Sequence, residues 1–258
     1  MSSKRCKIAW GITGAGHYLR ESIQYLEKMI SEFNIPTIVY VSRAGSEVLK
    51  MYGLYRTLID IVNRCRYCEI VFEENEGYSY PKTGKVYTEI STVIISPTTF
   101  NTLAKIANGI CDTLITNLVA HALKARVPVI LVIPDLECPV ESEIPIYIDR
   151  DICLNCEHVC EIVDVCPRKA VYIGNDGLPH IDLVKCDRCG ICVNECPRKA
   201  IQLNKRVMIY QHPLLASLVE KVRSMGIVVF SNPENMWNSM VVREILERTS
   251  IVSSSRTS

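Results

Sequence analysis

The sequence predicts an α/β protein in which a doubly wound parallel sheet is interrupted, near its carboxyl end, by a small cysteine-rich α+β unit. Short strands rich in Val and Ile alternate with amphipathic helices, as is typical of a parallel sheet covered by helices on both faces. Eight of the 13 cysteines lie between residues 153 and 196. Because the strand and helix pattern resumes after residue 204, we expect the cysteine-rich unit to be an insertion in one α/β domain.

The part before the cysteines is predicted to contain five strands and four helices. The first strand is predicted over residues 6–12, and the turn Thr13–His17 connects it to the first helix. That helix carries an apolar stripe whose members are three or four residues apart, namely Leu19, Ile23, Leu26, Ile30 and Phe33. Further strands are predicted at 37–41, 69–72, 92–95 and 129–133. Further helices are predicted after residue 46, at 100–107 and at 112–125, with a polar excursion at 73–85.

The part after the cysteines predicts a return to the same domain. Strands are predicted at 207–210 and 227–230, and helices at 214–225 and 234–249. We therefore expect residues 1–145 to form the main α/β domain, residues 146–204 the cysteine-rich domain, and residues 205–258 a return segment that completes the first.

Composition excludes several classes of protein. The chain has 258 residues, 48% of them hydrophobic, and a net charge of +1, so no electrostatic argument favours a nucleic-acid partner. No apolar run approaches the roughly 20 residues that span a bilayer. The cysteines fall in metal-ligand spacing and no signal peptide is recognisable, which argues against a secreted disulfide framework. We expect a cytoplasmic protein without a membrane span.

The cysteines form two runs with the spacing of iron–sulfur ligands. The second run, Cys186-x-x-Cys189-x-x-Cys192-x-x-x-Cys196-Pro, has the spacing of bacterial ferredoxins. The first run is looser and comprises Cys153, Cys156, Cys160 and Cys166. Each run ends in the same five residues, Cys-Pro-Arg-Lys-Ala. Such duplication indicates a ferredoxin-like domain with two [4Fe–4S] clusters.

In two-cluster ferredoxins the fourth cysteine of each run binds the other cluster. One cluster is then expected on Cys153, Cys156, Cys160 and Cys196, and the other on Cys166, Cys186, Cys189 and Cys192. Zinc is the alternative, because zinc sites also begin with Cys-x-x-Cys, but zinc modules usually separate two cysteine pairs widely. Outside the runs, Cys65-x-x-Cys68 can be interpreted as a redox pair or as a third metal site. We expect Cys6 and Cys111 to be small buried apolar residues.

Three polar loops follow predicted strands, at 13–17, 42–46 and 96–102. In an open α/β sheet ligands bind at the carboxyl ends of the strands, and helix N-termini there favour a phosphate group. The glycines of the first loop do not match the dinucleotide fingerprint. A mononucleotide with one phosphate therefore fits better than NAD.

The motifs Gly11-Ile-Thr-Gly-Ala-Gly-His17, Ser96-Pro-Thr-Thr-Phe-Asn-Thr102 and Pro128-Val-Ile-Leu-Val-Ile-Pro134 resemble those of the FMN-binding flavoprotein superfamily, which includes phosphopantothenoylcysteine decarboxylases and flavin prenyltransferases. With a ferredoxin unit near the carboxyl end, the whole layout is similar to the archaeal iron–sulfur flavoproteins. The resemblance implies a flavodoxin-like fold for the main domain. It departs at Thr98-Thr99-Phe100, where the decarboxylases have small residues, so decarboxylation is not expected.

The resemblance also implies the cofactor site and the assembly. The FMN phosphate would be held by Thr13, Gly14, Ala15, Gly16 and Ser42. The ribityl chain and isoalloxazine would be lined by Ser96, Thr98, Thr99, Asn101 and Thr102. Since the flavin of similar proteins lies between subunits, a homotrimer or larger homo-oligomer is expected.

The activity implied is an oxidoreductase. A one-electron donor such as ferredoxin would reduce the clusters, the clusters would reduce FMN, and FMN would deliver a hydride to a dihydropterin. No catalytic residue is assigned, and His17, Tyr18 and Tyr87 are candidates for a proton donor. The main alternative is an electron carrier between ferredoxin and a protein partner, with no small-molecule substrate. A decarboxylase or flavin prenyltransferase would leave the ferredoxin unit without a role.

Overall fold

The structure, a computed structural model, describes residues 6–78, 80–156 and 160–254, with side chains described as far as residue 249. These residues form ten strands: β1 (Lys7–Ile12), β2 (Thr37–Val41), β3 (Glu69–Phe72), β4 (Ile90–Ile95), β5 (Val129–Val132), β6 (Val140–Ile148), β7 (Val171–Ile173), β8 (Pro179–Ile181), β9 (Ile201–Ile209) and β10 (Val228–Phe230). Six strands make one parallel sheet in the order β10-β5-β4-β1-β2-β3. The predicted doubly wound parallel sheet is confirmed.

Helices cover both faces of this sheet. The helices of the described residues are α1 (Leu19–Phe33), α2 (Arg43–Met51), α3 (Tyr55–Asn63), α4 (Glu73–Glu76), α5 (Tyr80–Thr83), α6 (Phe100–Ala107), α7 (Leu114–Lys124), α8 (Arg150–Leu154), α9 (Ile162–Val165), α10 (Ile191–Glu195), α11 (Leu215–Ser224), α12 (Pro233–Asn238) and α13 (Met240–Ser254). Of these, α8, α9 and α10 lie in the cysteine-rich unit and not on the sheet. Successive residues of β1 enter opposite cores. Ala9 packs with α6, α7 and α11, whereas Ile8 and Trp10 pack with α1, α3 and α13. This alternation follows from the two-residue repeat of a strand that is buried on both faces.

Two elements differ from the sequence prediction. The strand predicted at 207–210 is the end of the longer β9, which lies outside the main sheet, and Tyr210 is not part of it. Residues of β9 from Asn204 onward alternate between exposed and partly buried, as expected for a two-stranded ribbon rather than a buried parallel strand. The single helix predicted at 234–249 is two helices, α12 and α13. They separate at Ser239, whose backbone is extended and whose hydroxyl accepts a hydrogen bond from the amide of Val242.

The predictions of a polar excursion at 73–85 and of a helix that begins at residue 112 also need correction. Residues 73–85 contain α4 and α5 and enter a 3-10 turn at Gly84–Tyr87. The helix predicted from Asp112 begins at Leu114 because Thr113 is its N-cap, with a reciprocal hydrogen-bond pair to Thr116. Asp112 instead pairs with Lys105, with its two carboxylate oxygens at 2.8 and 2.9 Å from Nζ.

An antiparallel ribbon carries the cysteine-rich unit. Strands β6 and β9 pair along their lengths, from Val140 opposite Ile209 to Ile148 opposite Ile201. The predicted domain boundaries, 145/146 and 204/205, fall inside these two strands. Beyond the ribbon, β7 and β8 form an antiparallel hairpin, and a third core combines apolar side chains with cysteines from both runs. None of the described helices is long and apolar enough to cross a bilayer.

Candidate functional site

The candidate ligand site lies at the carboxyl edge of the main sheet. Strand β1 is the neighbour of β4, and the chain proceeds from β1 toward β2 on one side and from β4 toward β5 on the other. The register pairs Gly11 with Ile95, so the loops that begin at Thr13 and Ser96 leave the sheet side by side. Such a reversal of strand order is where open α/β sheets form their binding crevice.

Thr13 joins these two loops. Its hydroxyl donates to the carbonyl oxygen of Pro97 (2.8 Å) and accepts from the amide of Thr99 (2.9 Å). Only 1% of Thr13 is exposed, so water does not replace these bonds. The amide of Thr98 donates to the carbonyl of Val132 (2.7 Å), which ties the second loop to β5.

The predicted loop residues divide into two groups by burial. Ser96 and Thr98 are fully buried: the Ser96 hydroxyl bonds with that of Ser22 (2.8 Å), and the Thr98 hydroxyl donates to the carbonyl of Ile95 (2.9 Å). These two side chains shape the loop from within. Thr99, the N-cap of α6, is partly buried and Asn101 is exposed, so their side of the loop is open to a ligand. Thr102 is buried, and its hydroxyl accepts a hydrogen bond from that of Thr99 (2.9 Å).

The loop at 13–16 rests on α2 through its glycines. A Cβ atom on Gly14 would lie 2.8 Å from Cβ of Ala44, and one on Gly16 would lie 2.3 Å from the hydroxyl of Tyr52. Ser42 is the N-cap of α2, and its hydroxyl accepts from the amide of Gly45 (3.0 Å). Gly14 and Ser42 therefore lie at the start of α2, where backbone amides favour an anion, whereas Gly16 lies against Tyr52 at the other end of that helix.

Gly45→Ala should destabilise the protein although alanine is normally the better helix former. A Cβ at this position would lie 2.6 Å from the carbonyl oxygen of Ile12 and 3.1 Å from the Ser42 hydroxyl, so β1 or the helix cap must move. We expect a loss of about 1–3 kcal/mol, the range for overpacking. Gly84→Ala is the matched control, since its Cβ would meet nothing within 4 Å. Urea unfolding of both variants measures the difference, and equal stabilities would contradict the close approach.

Acid–base groups surround the same edge. The Tyr18 hydroxyl donates to Glu137 (2.5 Å), and the side-chain amide of Asn232 also donates to Glu137. Burial and this carboxylate raise the pKa of Tyr18 well above its usual range, which makes it a poor proton donor. Burial lowers the pKa of His17, whose Nε2 atom is buried without a partner among the described residues, and burial raises the pKa of Asp135.

The proposal of Tyr87 as a candidate proton donor is wrong. It lies in the turn that precedes β4, at the amino edge of the sheet, where its hydroxyl bonds with Nδ1 of His121 (3.2 Å). Conversely, Asp135 and Glu137 were missed by the sequence analysis. Pro134-Asp-Leu-Glu137 directly follows the strand predicted at 129–133, so the argument used for the other three polar loops would have found them.

The eight cysteines of the two runs lie around two cavities. Cys153, Cys156, Cys160 and Cys196 line a cavity of about 450 Å³, and Cys166, Cys186, Cys189 and Cys192 line a narrower one. Among the described residues, no three His, Cys, Asp or Glu side chains converge as they would around a single metal ion. These two sets of four thiols are the candidate ligands for the iron–sulfur chemistry that the spacing of the cysteine runs predicts.

The remaining cysteines are structurally distinct from these sets. Cys65 and Cys68 form a disulfide at the amino end of β3, away from the candidate ligand site, so they do not form a third metal site. The amide of Thr37 donates to the sulfur of Cys68 (3.4 Å). Cys6 is buried as expected, but Cys111 is exposed and the expectation for it was wrong.

Comparison with known proteins identifies the family. A family model described as Flavoprotein matches residues 1–147, which is more than half of the chain. The chain belongs to the flavoprotein family. A 4Fe-4S binding domain matches residues 179–202, which contain the second cysteine run. This flavoprotein is accordingly an oxidoreductase that depends on flavin and iron–sulfur chemistry.

Two relatives of this flavoprotein carry the name dihydromethanopterin reductase (acceptor). It is 42% identical to a dihydromethanopterin reductase (acceptor) of Methanosarcina mazei, over 88% of this chain and 96% of the relative. It is 41% identical to a protein of the same name from Methanocaldococcus jannaschii, over 64% and 67% of the two chains. Its fold matches Burkholderia xenovorans DmrB, solved with FMN and described as a cubic protein cage for redox transfer, with a TM-score of 0.58, 21% identity and coverage of 97% and 98%.

Proposed function

We propose that this flavoprotein is a dihydromethanopterin reductase that receives electrons from a one-electron donor such as ferredoxin. Two [4Fe–4S] clusters pass the electrons to FMN, and the product is tetrahydromethanopterin from 7,8-dihydromethanopterin. The observation that carries the proposal is the combination, in one chain, of a flavoprotein loop set with two cavities that are each lined by four cysteines. The identity of 42% over nearly the whole length of the Methanosarcina mazei reductase supports the substrate.

The residues around the sheet edge fit FMN. Thr13, Gly14, Ala15, Gly16 and Ser42 would hold its phosphate, and Thr99, Asn101 and Thr102 would contact the rest of it, with Ser96 and Thr98 fixing their loop. When bound, FMN takes up single electrons and gives a hydride to a carbon–nitrogen double bond. The chain's own contribution is to orient the cofactor: the Thr13 hydroxyl holds two of these loops in one arrangement.

Reduction of a carbon–nitrogen double bond also consumes a proton, and two groups at the sheet edge can hold one. Burial keeps Asp135 protonated to a higher pH than usual, and the charge of His17 opposes this effect. The buried Nε2 atom of His17 is available for a hydrogen bond. Asp135, with His17 beside it, is therefore a better proton source than Tyr18.

The proposal extends to the assembly of the protein and to its cellular location. A homotrimer or larger assembly is proposed because the related Burkholderia xenovorans protein is described as a cage. The proposal includes a cytoplasmic location, as expected from the cysteine usage of the sequence.

The test is an anaerobic half-reaction. The FMN-replete, iron-loaded protein is reduced, freed of excess reductant and mixed with 7,8-dihydromethanopterin while the flavin absorbance is recorded. Rapid stoichiometric reoxidation with tetrahydromethanopterin as product is expected. The Asp135→Asn variant is expected to bind FMN normally but to react more slowly. Flavin that stays reduced until an electron-accepting protein is added would overturn the proposal in favour of the carrier.

A further inference from the structure

Tyr52, at the end of α2, lies between the flavin loop and the cysteine-rich unit. On one side its ring packs against Gly16, since a Cβ atom added to Gly16 would lie 2.3 Å from the Tyr52 hydroxyl. On the other side that hydroxyl donates to the carbonyl of Glu143 in β6 (2.6 Å). The backbone carbonyl of Tyr52 accepts a hydrogen bond from Nη1 of Arg188 (3.1 Å). One residue therefore contacts the loop predicted for the FMN phosphate, the ribbon and the second cysteine run.

Arg188 belongs to the narrower of the two cysteine cavities. It stands between Cys186 and Cys189 in the sequence, and it lines the cavity together with them. Its second guanidinium nitrogen, Nη2, donates to the side-chain oxygen of Asn204 in β9. Its backbone is left-handed, with φ of 59°, a conformation that is uncommon for a residue other than glycine. The guanidinium fork thus fixes this cysteine loop against both α2 and the ribbon.

The ribbon sets the order of the two cavities. Along β6, Glu143 contacts Tyr52, Ile146 lines the narrower cavity and Ile148 lines the larger one. With a rise of about 3.3 Å per residue, Ile146 is about 10 Å and Ile148 about 17 Å along the strand from Glu143. The narrower cavity is therefore the inner one, next to the flavin loops, and the larger cavity is the outer one.

From this arrangement we infer the route of the electrons, an inference that rests on the proposed function. The cluster held by Cys166, Cys186, Cys189 and Cys192 is the inner one and gives its electrons to the flavin across the Arg188–Tyr52 contact. The cluster held by Cys153, Cys156, Cys160 and Cys196 is the outer one and accepts them from the donor. Two reduced ferredoxins each lose one electron. These two electrons pass through both clusters in turn and, with two protons from water, complete the reduction of one flavin.

Arg188→Lys tests the contact while keeping all eight cysteines and the positive charge. A lysine ammonium cannot reproduce the guanidinium fork that serves Tyr52 and Asn204 together. The full-length, FMN- and iron-loaded protein is mixed anaerobically with reduced ferredoxin, flavin absorbance is followed by stopped flow, and cluster reduction is followed by freeze-quench EPR. We expect flavin reduction to slow several-fold, while cluster reduction and the reduction potentials of both clusters stay at wild-type values.

Arg206→Lys is the matched control for this experiment. Arg206 lies in β9 and lines neither cavity, and its guanidinium donates to Glu141 of β6 (3.0 Å) within the ribbon. This variant should reduce its flavin at the wild-type rate. Equal rates for Arg188→Lys and the wild type, or equal slowing in both variants, would overturn the proposed contact.

Cys189→Ala tests the order of the clusters. Reduced ferredoxin should still produce the EPR signal of the outer cluster, but the flavin should stay oxidised. Flavin reduction at the wild-type rate would overturn the order. The iron positions in crystals, located by anomalous scattering, provide a test without turnover, because the iron nearer the flavin must be bound by Cys166, Cys186, Cys189 and Cys192. A wild-type protein that takes up neither flavin nor iron would instead contradict the proposed function itself.

Discussion

Thr13→Val is expected to lower the free energy of unfolding by about 2–6 kcal/mol and to weaken FMN binding by about tenfold or more. Valine has nearly the same shape, but it leaves the carbonyl of Pro97 and the amide of Thr99 without the partner that they now share. Each buried group left unpaired costs about 1–3 kcal/mol. Loss of order in these loops weakens the bound state as well, and each 1.4 kcal/mol of binding energy is a tenfold change in Kd.

Urea unfolding of the cofactor-free protein and flavin fluorescence titration measure the two effects separately. Thr57→Val is the control, because Thr57 is exposed on α3 and the same change there removes no buried hydrogen bond. The control should bind FMN as the wild type does. If Thr13→Val retained both wild-type stability and wild-type affinity, Thr13 could not be the residue that holds the loops together.

The main sheet is predictable from sequence because its strands are buried on both faces. A strand such as β2, Thr-Ile-Val-Tyr-Val, has every residue buried, so its apolar character is visible without knowing its neighbours. The loops at the carboxyl ends of these strands then follow from the parallel arrangement alone. Thr13 and Ser96 could be assigned to one edge for this reason, before any distance was known.

The ribbon formed by β6 and β9 is not predictable in this way. Burial along β6 follows no regular alternation, since Pro145 and Ile146 are both buried, and β6 begins just after the Cys138–Pro139 pair, which resembles a linker. Its stability comes from pairing between segments that are far apart in the sequence, such as Val140 with Ile209. Local patterns carry no information about such a partner.

Contacts between the two units were also beyond the sequence analysis. In the sequence, Arg188 is simply a basic residue within a cysteine loop, and Tyr52 is simply a residue at the end of a predicted helix. Their meeting depends on the length and direction of the ribbon, which places the second cysteine run beside α2. Similarly, the polar residues Ser96 and Thr98 are indistinguishable from Thr99 in a loop motif, and only the structure shows that their hydroxyls point inward.

Cys196→Ala is expected to remove the outer cluster, although Cys196 belongs to the second run of the sequence. It shares the larger cavity with Cys153, Cys156 and Cys160, whereas Cys166 of the first run shares the narrower one with Cys186, Cys189 and Cys192. Cys196→Ala should therefore lose the same half of the iron, and the same EPR signal, as Cys156→Ala. Combining the two substitutions should cause no further loss of iron, because both act on one cluster and their effects are not additive.

Cys166→Ala is the reciprocal variant and should lose the inner cluster, as Cys189→Ala does. All four single variants should retain FMN, because its predicted ligands lie in the other domain and make their hydrogen bonds without the cysteines. Iron content, the visible spectrum and EPR of the reduced protein measure the clusters, and fluorescence of released flavin measures FMN. If Cys196→Ala matched Cys189→Ala instead, each run would bind its own cluster. The cysteines that line one cavity would then not be the ligands of one cluster. The assignment of an inner and an outer cluster, inferred from the ribbon, would lose its support.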